Sequence, residues 1–293
     1  MSYIASPSVR SYAGQKGVDL DEVARAAGRT TLAREDVDRH LGGGASEPAA
    51  VSAYWDVDHA AWGPVREEPM PRSARVAAAN LGAANAMIPQ VTHHDRADMR
   101  AVERFRQGLR PEAAARGVRL TALAFHVMAL ARCLRDFSRF NASLSADGGT
   151  LVLKDYVHVG IAVDAPHGLI VPVIRDADRK GLWRIAAEIA DLAARAQARK
   201  IRPDEIGGAS MSISNLGGIG GTAFTPIVNP PELAILGLTR TETVPVWNGQ
   251  AWDPVLMTPL DLSYDHRVIN GADAAKFLVS YAKYLHDPRR MII

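Results

Sequence analysis

Asp265-His266-Arg267 closes a long apolar run and stands just before a glycine and a helical segment. An imidazole at such a strand end is placed to carry a proton, because its ordinary pKa lies near neutrality. It can equally cap the strand or bond a neighbour, and the residues alone leave both roles open. His93 and His94, adjacent where loop passes into strand, read as structural, as do His126 and Cys133 inside an apolar helix. In the stretch Gly217 to Gly221, Gly218 and Gly220 together with Ala223 satisfy a loose G-x-G-x-x-A after a strand. That pattern cradles a pyrophosphate only where a helix starts behind it, and Pro226, Pro230 and Pro231 forbid a long helix there. The chain has no G-K-[ST] loop, no H-E-x-x-H and no G-x-S-x-G elbow. A single cysteine excludes an internal disulfide and any multi-cysteine metal site; no metal is expected.

The elements that must position His266 are legible in the apolar periodicity. Thr121 to Phe137 is apolar nearly all round, the mark of a buried helix. Gly181 to Lys200 carries Leu182, Ile185, Ile189, Leu192 and Ala196 on one stripe, with Arg184 and Glu188, then Asp191 and Arg195, paired at four-residue spacing opposite. LVLKDYVHVGIAVD alternates as a strand, and GLIVPVI, ASMSISN and ELAILGLT add three more. Asn248-Gly249 signals a hairpin between VPVW and PVLMTPLDLSYDH, and a last helix runs from Ala272 to Leu285. Upstream, Ser6 can cap a helix with Pro7 at its first position, Gly14 and Gly17 ending it, and REDVDRHL forms a second short helix. Three parts follow: a small helical domain over 1–41, a linker over 42–72 whose later half carries Trp55 and Trp62, and an α/β domain over 73–293.

Composition narrows the partners. In 293 residues, 34 Lys and Arg against 32 Asp and Glu leave a net charge of +2, so no general field draws in nucleic acid or an acidic membrane. The longest uncharged apolar stretch, Leu120 to Ala131, is too short to span a bilayer, and no signal-peptide pattern opens the chain. The cytoplasm is the expected compartment.

The segments SMSISNLGGIGGTAFTPIVNPPELAILGL and PLDLSYDHRVINGADAAKFL, with IPQVTHHD, RFNASL and VGIAVDAPHGLIVPV before them, resemble the catalytic domain of the acyltransferase component of 2-oxo-acid dehydrogenase complexes. PVWNGQAWDPVLM is most like the pyruvate-complex branch. The resemblance covers residues 73 to 293. It implies a chloramphenicol acetyltransferase-like mixed sheet with helices, in trimers that build a larger core such as a 24-mer. It also implies an active site shared between subunits, in which His266 takes a proton from an incoming thiol and Ser214 of the next subunit stabilises the developing oxyanion. Coenzyme A and dihydrolipoamide are the implied substrates. Asn270 stands where the family's commonest motif has Asp, so it is expected to orient side chains through its amide. Phe224, Thr225, Pro226 and Asn229 match the wall of the thiol channel, Asn215 is a further coenzyme A-binding candidate, and Arg106 matches a position facing the phosphates of coenzyme A.

SPSVRSYAGQKGVDLDEV and REDVDRHL resemble the peripheral subunit-binding domain, which in the family tethers the decarboxylating and dihydrolipoamide dehydrogenase components. The family's G-T-G-x-x-G-R loop reads Arg25-Ala26-Ala27-Gly28-Arg29-Thr30-Thr31 here, and the lost glycines put that binding in doubt. No lysine stands in a D-K-A hairpin setting, so the lipoyl group is expected from another domain or chain. HDPRRMII resembles the apolar tail that docks trimers together, with Met291, Ile292 and Ile293 expected to be exposed. Two other readings compete: an acyltransferase of the same fold acting on another acceptor, and a scaffold without catalysis.

Overall fold

In the computed structural model of the chain, residues 4–27, 31–41 and 57–291 are described, and contacts divide the chain into two units, Met1–Pro69 and Met70–Ile293. The first unit contains helices α1 (Pro7–Lys16), α2 (Leu20–Ala27) and α3 (Arg34–Leu41) and the short parallel strands β1 (Ile4–Ala5) and β2 (Thr31–Leu32). The Ser6 side chain accepts from the Val9 amide and Gly17 ends α1 in the left-handed region, as their positions predict. Gly14 does not end the helix; it lies within α1, whose last turn continues to Lys16. Helix α2 was not anticipated: it offers only eight residues, of which Leu20, Val23 and Ala24 are buried. These join Ala5, Val9, Ala13, Leu32 and Val37 in a small core. Arg10 donates through Nε to the Ala5 carbonyl at 3.1 Å. Trp62, in a single 3-10 turn over His59–Trp62, is exposed. Trp55 and residues Gly28 to Thr30 of the altered loop lie outside the described residues, as do Ile292 and Ile293.

The second unit is a mixed sheet with helices, the α/β class expected. Strands β3 (Gln90–Asp98), β6 (Val159–Ala165), β7 (Gly168–Ile170), β8 (Val173–Ile174), β9 (Met211–Asn215), β10 (Ala234–Leu238), β11 (Glu242–Trp247) and β12 (Trp252–Asp265) form one sheet, and β4 (Ala142–Leu144) pairs separately with β5 (Leu151–Leu153). The main order is β11-β12-β10-β9-β6-β7; β8 lies on β6, and β3 lies on the second half of β12. Neighbours β6, β9 and β10 run parallel, and β12 runs antiparallel to β10, β3 and β11. The helices are α4 (Arg72–Met87), α5 (Arg100–Gly108), α6 (Arg110–Ala115), α7 (Ala122–Asp136), α8 (Leu182–Gln197) and α9 (Gly271–His286).

Strand alternation divides the sheet into two unlike faces. Val159, Ile161, Met211, Ile213, Leu236, Leu260, Leu262 and Tyr264 share one face and are buried in the main apolar core together with α7, which packs against α8 and α9. Helix α7 is apolar nearly all round because it sits between these neighbours, and most of its circumference is shielded from water, with Arg135 and Asp136 exposed at its last turn. The stripe on α8 is also confirmed: Ile185, Leu192 and Ala196 are buried, and Arg184 and Arg195 pair with Glu188 and Asp191 on the outer side. The opposite face of the sheet carries Gly160, Ala162, Ser212, Ser214, Gly237, Asp261, Ser263, Thr92 and His94, which are small or polar.

Met291, expected outside, is instead buried at 2% exposure in the chain's own core, with its carbonyl accepting from Arg132 Nε at 3.1 Å. A flexible thioether fills the gap beneath the C-terminal turn more cheaply than solvent can.

One core pair makes stability depend on pH. His126 Nδ1 and Tyr281 Oη lie 2.7 Å apart between α7 and α9, and burial pushes the imidazole down to about 4 from an ordinary 6.5. Between those values the unfolded chain binds a proton that the folded core refuses, so stability falls as pH drops through that window. The full effect is about 3 kcal/mol at about 1.4 kcal/mol per pH unit. Glu232, whose carboxyl is raised to about 7 by burial, acts with the opposite sign between about 4.5 and about 7. The measurement is therefore a difference: denaturant midpoints of wild type and His126→Gln across pH 4 to 7 should diverge toward neutral pH, with wild type gaining. Parallel curves would exclude the effect.

Candidate active site

The turn that presents His266 is built from its neighbours. Asp265 is 1% exposed; its carboxylate accepts from Arg267 Nε at 3.0 Å and from Nη2 at 2.6 Å, and also from the Arg267 amide at 3.0 Å. The Asp265 amide donates to Leu233, and its carbonyl takes the amides of Val268 and Ile269, closing the chain into a tight turn. The His266 amide donates to Pro89 at 3.1 Å, and its ring stacks on Tyr264 with centroids 5.9 Å apart. The imidazole itself is exposed. Asp265 and Arg267 thus fix the backbone so that the residue between them points outward.

Four positions on, Asn270 Oδ1 accepts the Asp273 amide at 3.0 Å, making Asn270 the N-cap of α9. Its amide is committed to starting the helix that ends the His266 turn. An Asn270→Asp change keeps an acceptor there and adds an anion at a helix N-terminus, so it should retain substantial activity and full stability. Asn270→Ala should cost about 1 kcal/mol. Denaturant midpoints together with turnover check both; collapse of the Asp variant would mean that the side-chain amide NH2 is essential.

Ser214 lies on β9, with Ala162 opposite on β6 and Gly237 opposite on β10. Its serine neighbours are all engaged: Ser212 donates to Glu232 at 2.9 Å, Ser210 donates to the Tyr156 carbonyl and accepts the His158 amide, and Ser263 bonds Thr92. Among the described residues the Ser214 hydroxyl alone of these four has no partner, so it is free to donate to a ligand.

Along the strands, the register fixes how far apart these groups are. Ser214 is level with Gly237, and Gly237 with Asp261, which precedes His266 by five residues. At about 3.3 Å per residue, His266 and Ser214 stand roughly 15 Å apart along the strand direction alone. A base and an oxyanion donor must each lie within about 3 Å of the reacting atoms. One chain therefore holds two half-sites that stand apart, too far from each other to act on one bond.

The segment from Leu216 to Leu233 crosses the small and polar face that carries Ser214. Near Ser214, Thr239 Oγ1 donates to the Thr222 carbonyl and the Phe224 amide donates to Asp261 Oδ2; farther on, the Val228 amide donates to Gln90 Oε1. Phe224, Thr225, Pro226 and Asn229 all belong to this segment, with Thr225 and Asn229 exposed. Asn215 sits beside Ser214, but its Oδ1 accepts the Gly217 amide and shapes the turn. Arg106 is not brought to this face. It lies on α5, which packs with α7 and α9, and its guanidinium is paired in a fork with Glu103 at 2.8 and 2.7 Å and with the Leu120 carbonyl.

The sequence reading did not single out Asp261, Glu232 or the tie between Asp265 and Arg267. An acid inside the otherwise apolar run PVLMTPLDLSY was the available signal for Asp261.

A family model for the 2-oxoacid dehydrogenases acyltransferase catalytic domain matches residues 63–293. The chain belongs to that family. The dihydrolipoyllysine-residue acetyltransferase component of the pyruvate dehydrogenase complex of Pseudomonas aeruginosa is 44% identical over 99% of this chain and 55% of its own length. The chain thus spans about half the length of the curated relatives it matches. Among solved structures, the dihydrolipoamide acetyltransferase of Azotobacter vinelandii is 47% identical with a TM-score of 0.79, covering 81% of this chain and 98% of that one. A structure of the cubic core of the pyruvate dehydrogenase multienzyme complex matches with the same identity, score and coverage. The first of these structures addressed the role of a serine, a histidine and an asparagine in the catalytic mechanism, and those three follow one another at the spacing of Ser214, His266 and Asn270 here.

Proposed function

We propose that the chain transfers an acetyl group between the thiol of dihydrolipoamide and the thiol of coenzyme A. The observation that carries this is the free Ser214 hydroxyl and the outward, exposed His266, spaced along the chain as in the acetyltransferase that is 47% identical. The nucleophile comes with the substrate, so no covalent enzyme intermediate is needed. A thiol is mostly protonated at neutral pH, and imidazole is basic enough to take its proton as the sulfur attacks the thioester carbonyl. Charge then builds on the carbonyl oxygen, where the Ser214 hydroxyl donates. The tetrahedral adduct collapses by expelling the other sulfur, to which the imidazolium returns the proton.

Because the half-sites stand roughly 15 Å apart along the strands, a complete site requires His266 of one protomer against Ser214 of another. A homotrimer, itself assembled into a larger core such as a 24-mer, satisfies this. A cavity of about 770 Å³ opens beside the C-terminal turn, its wall mixing Ala101, Phe105, Leu109 and Pro288 with Arg104, His286, Asp287 and Arg289. Phe224, Thr225, Pro226 and Asn229 would wall the thiol path, with Asn215 shaping its turn. Arg106 would meet the coenzyme A phosphates only by exchanging Glu103 for them. The lipoyl group would arrive on another domain or chain. The first unit holds the place of a tether for the decarboxylating and dihydrolipoamide dehydrogenase components, and the loss of the loop glycines argues against that role here. Among the described residues no helix is long and apolar enough to cross a membrane, and we place the reaction in the cytoplasm. The test is direct: acetyl-CoA and free dihydrolipoamide incubated with the protein should release coenzyme A thiol, and no release above the protein-free rate would end the proposal.

A further inference from the structure

His94 and Asp261 form a pair that the acyl-transfer chemistry above does not use. They are direct register partners on β3 and β12, and His94 Nδ1 donates to Asp261 Oδ1 at 2.6 Å. The acid is 1% exposed and the imidazole about half exposed. The ladder between β3 and β12 already runs through nine paired positions, from Met257 with Asp98 to Asp265 with Gln90. It does not need a buried carboxylate to hold it, and burying a charge is costly unless its bonds repay it.

The second carboxylate oxygen shows what the acid is for. Asp261 Oδ2 accepts the Phe224 amide at 3.2 Å, anchoring the crossing segment at the point where it passes over Gly237. The Phe224 ring lies on that glycine so closely that a Cβ there would meet ring carbons at 2.7 Å. Gly237 is the register partner of Ser214 on the neighbouring strand, about 5 Å away and on the same face. An acyl group whose carbonyl oxygen faces Ser214 therefore finds the edge of a fixed aromatic ring beside it.

We infer that His94 and Asp261 are positioning residues that pin Phe224 beside Ser214 and thereby restrict the site to short acyl groups. His94 supplies the hydrogen bond that lets a buried carboxylate persist, and the carboxylate holds the Phe224 backbone. Without either, the ring swings off Gly237 and the space next to Ser214 lengthens. This rests on the acetyl-transfer reading, and the assay separates the two.

The full chain is assayed with acetyl-CoA and with butyryl-CoA, and the ratio of kcat/KM for the two is compared among wild type, His94→Ala, His94→Asn and Asp261→Ala. Exclusion by a packed apolar wall is worth about 10- to 200-fold per methylene, so the acetyl preference should fall at least about tenfold in His94→Ala and Asp261→Ala. His94→Asn places an amide N–H where Nδ1 stood and should keep the wild-type ratio within about twofold. A half-exposed position tolerates these changes, so the His94 variants decide the matter even if Asp261→Ala does not fold. Equal slowing of both substrates in His94→Ala, leaving the ratio unchanged, would overturn the inference, as would His94→Asn behaving like His94→Ala. A wild type inactive on acetyl-CoA would overturn instead the function proposed above.

Discussion

Replacing His266 by alanine is expected to lower turnover on the order of 1,000-fold, in the middle of the range for a positioned general base. The fold should be indifferent, because the turn is held by Asp265, Arg267 and the amide bond to Pro89, none of which involves the imidazole. KM should change little, since in the proposed mechanism the exposed ring meets the reacting sulfur rather than the body of the substrate. The residual activity carries a signature. Without an internal base, the variant depends on thiolate supplied by solvent, which rises tenfold per pH unit below a thiol pKa of about 8.5. The gap between wild type and variant should therefore narrow as pH rises. Initial rates of thiol release between pH 6.5 and 9 measure this; a variant within tenfold of wild type at pH 7 would remove His266 from the chemistry.

Ser214→Ala should cost on the order of 100- to 1,000-fold in turnover with little change in affinity, as removal of an oxyanion donor does. The hydroxyl makes no bond within the chain among the described residues, and ladders to β6 and β10 hold the strand on both sides. The loss can thus be read as transition-state stabilisation rather than collapse of the sheet. Here pH gives no rescue, because the missing donor is not titrating in the working range. A large affinity loss at unchanged turnover would reassign Ser214 to substrate holding. The two variants differ in their pH response, and that difference separates proton transfer from oxyanion stabilisation.

How much of this was legible in the sequence follows the range of the interactions. Helix α7 and the stripe on α8 were plain, because apolar periodicity is local and burial acts on every turn. The hairpin around Asn248-Gly249 was plain too: Asn248 Oδ1 accepts the amides of Gln250 and Ala251, and Gly249 takes a positive φ. His266 and Ser214 were found through resemblance, since a residue type at a strand end does not reveal whether it faces a substrate. Helix α2 escaped because eight residues barely complete two turns. Met291 was misplaced because its burial is decided by the long-range fit beneath the C-terminal turn. The pair of His94 and Asp261 was out of reach, since strand register joins residues 167 positions apart. Two adjacent histidines announce nothing until β3 is laid against β12.

The separation of the two half-sites along the strands has a consequence for genetics. If catalysis belongs to a contact rather than to a chain, a protomer with a broken imidazole is still a whole contributor of alcohol, and the reverse holds for its counterpart. In a mixed population, the phenotype then follows the number of intact junctions, not the number of intact polypeptides, and two alleles that are each silent alone can restore one another when their products share a ring.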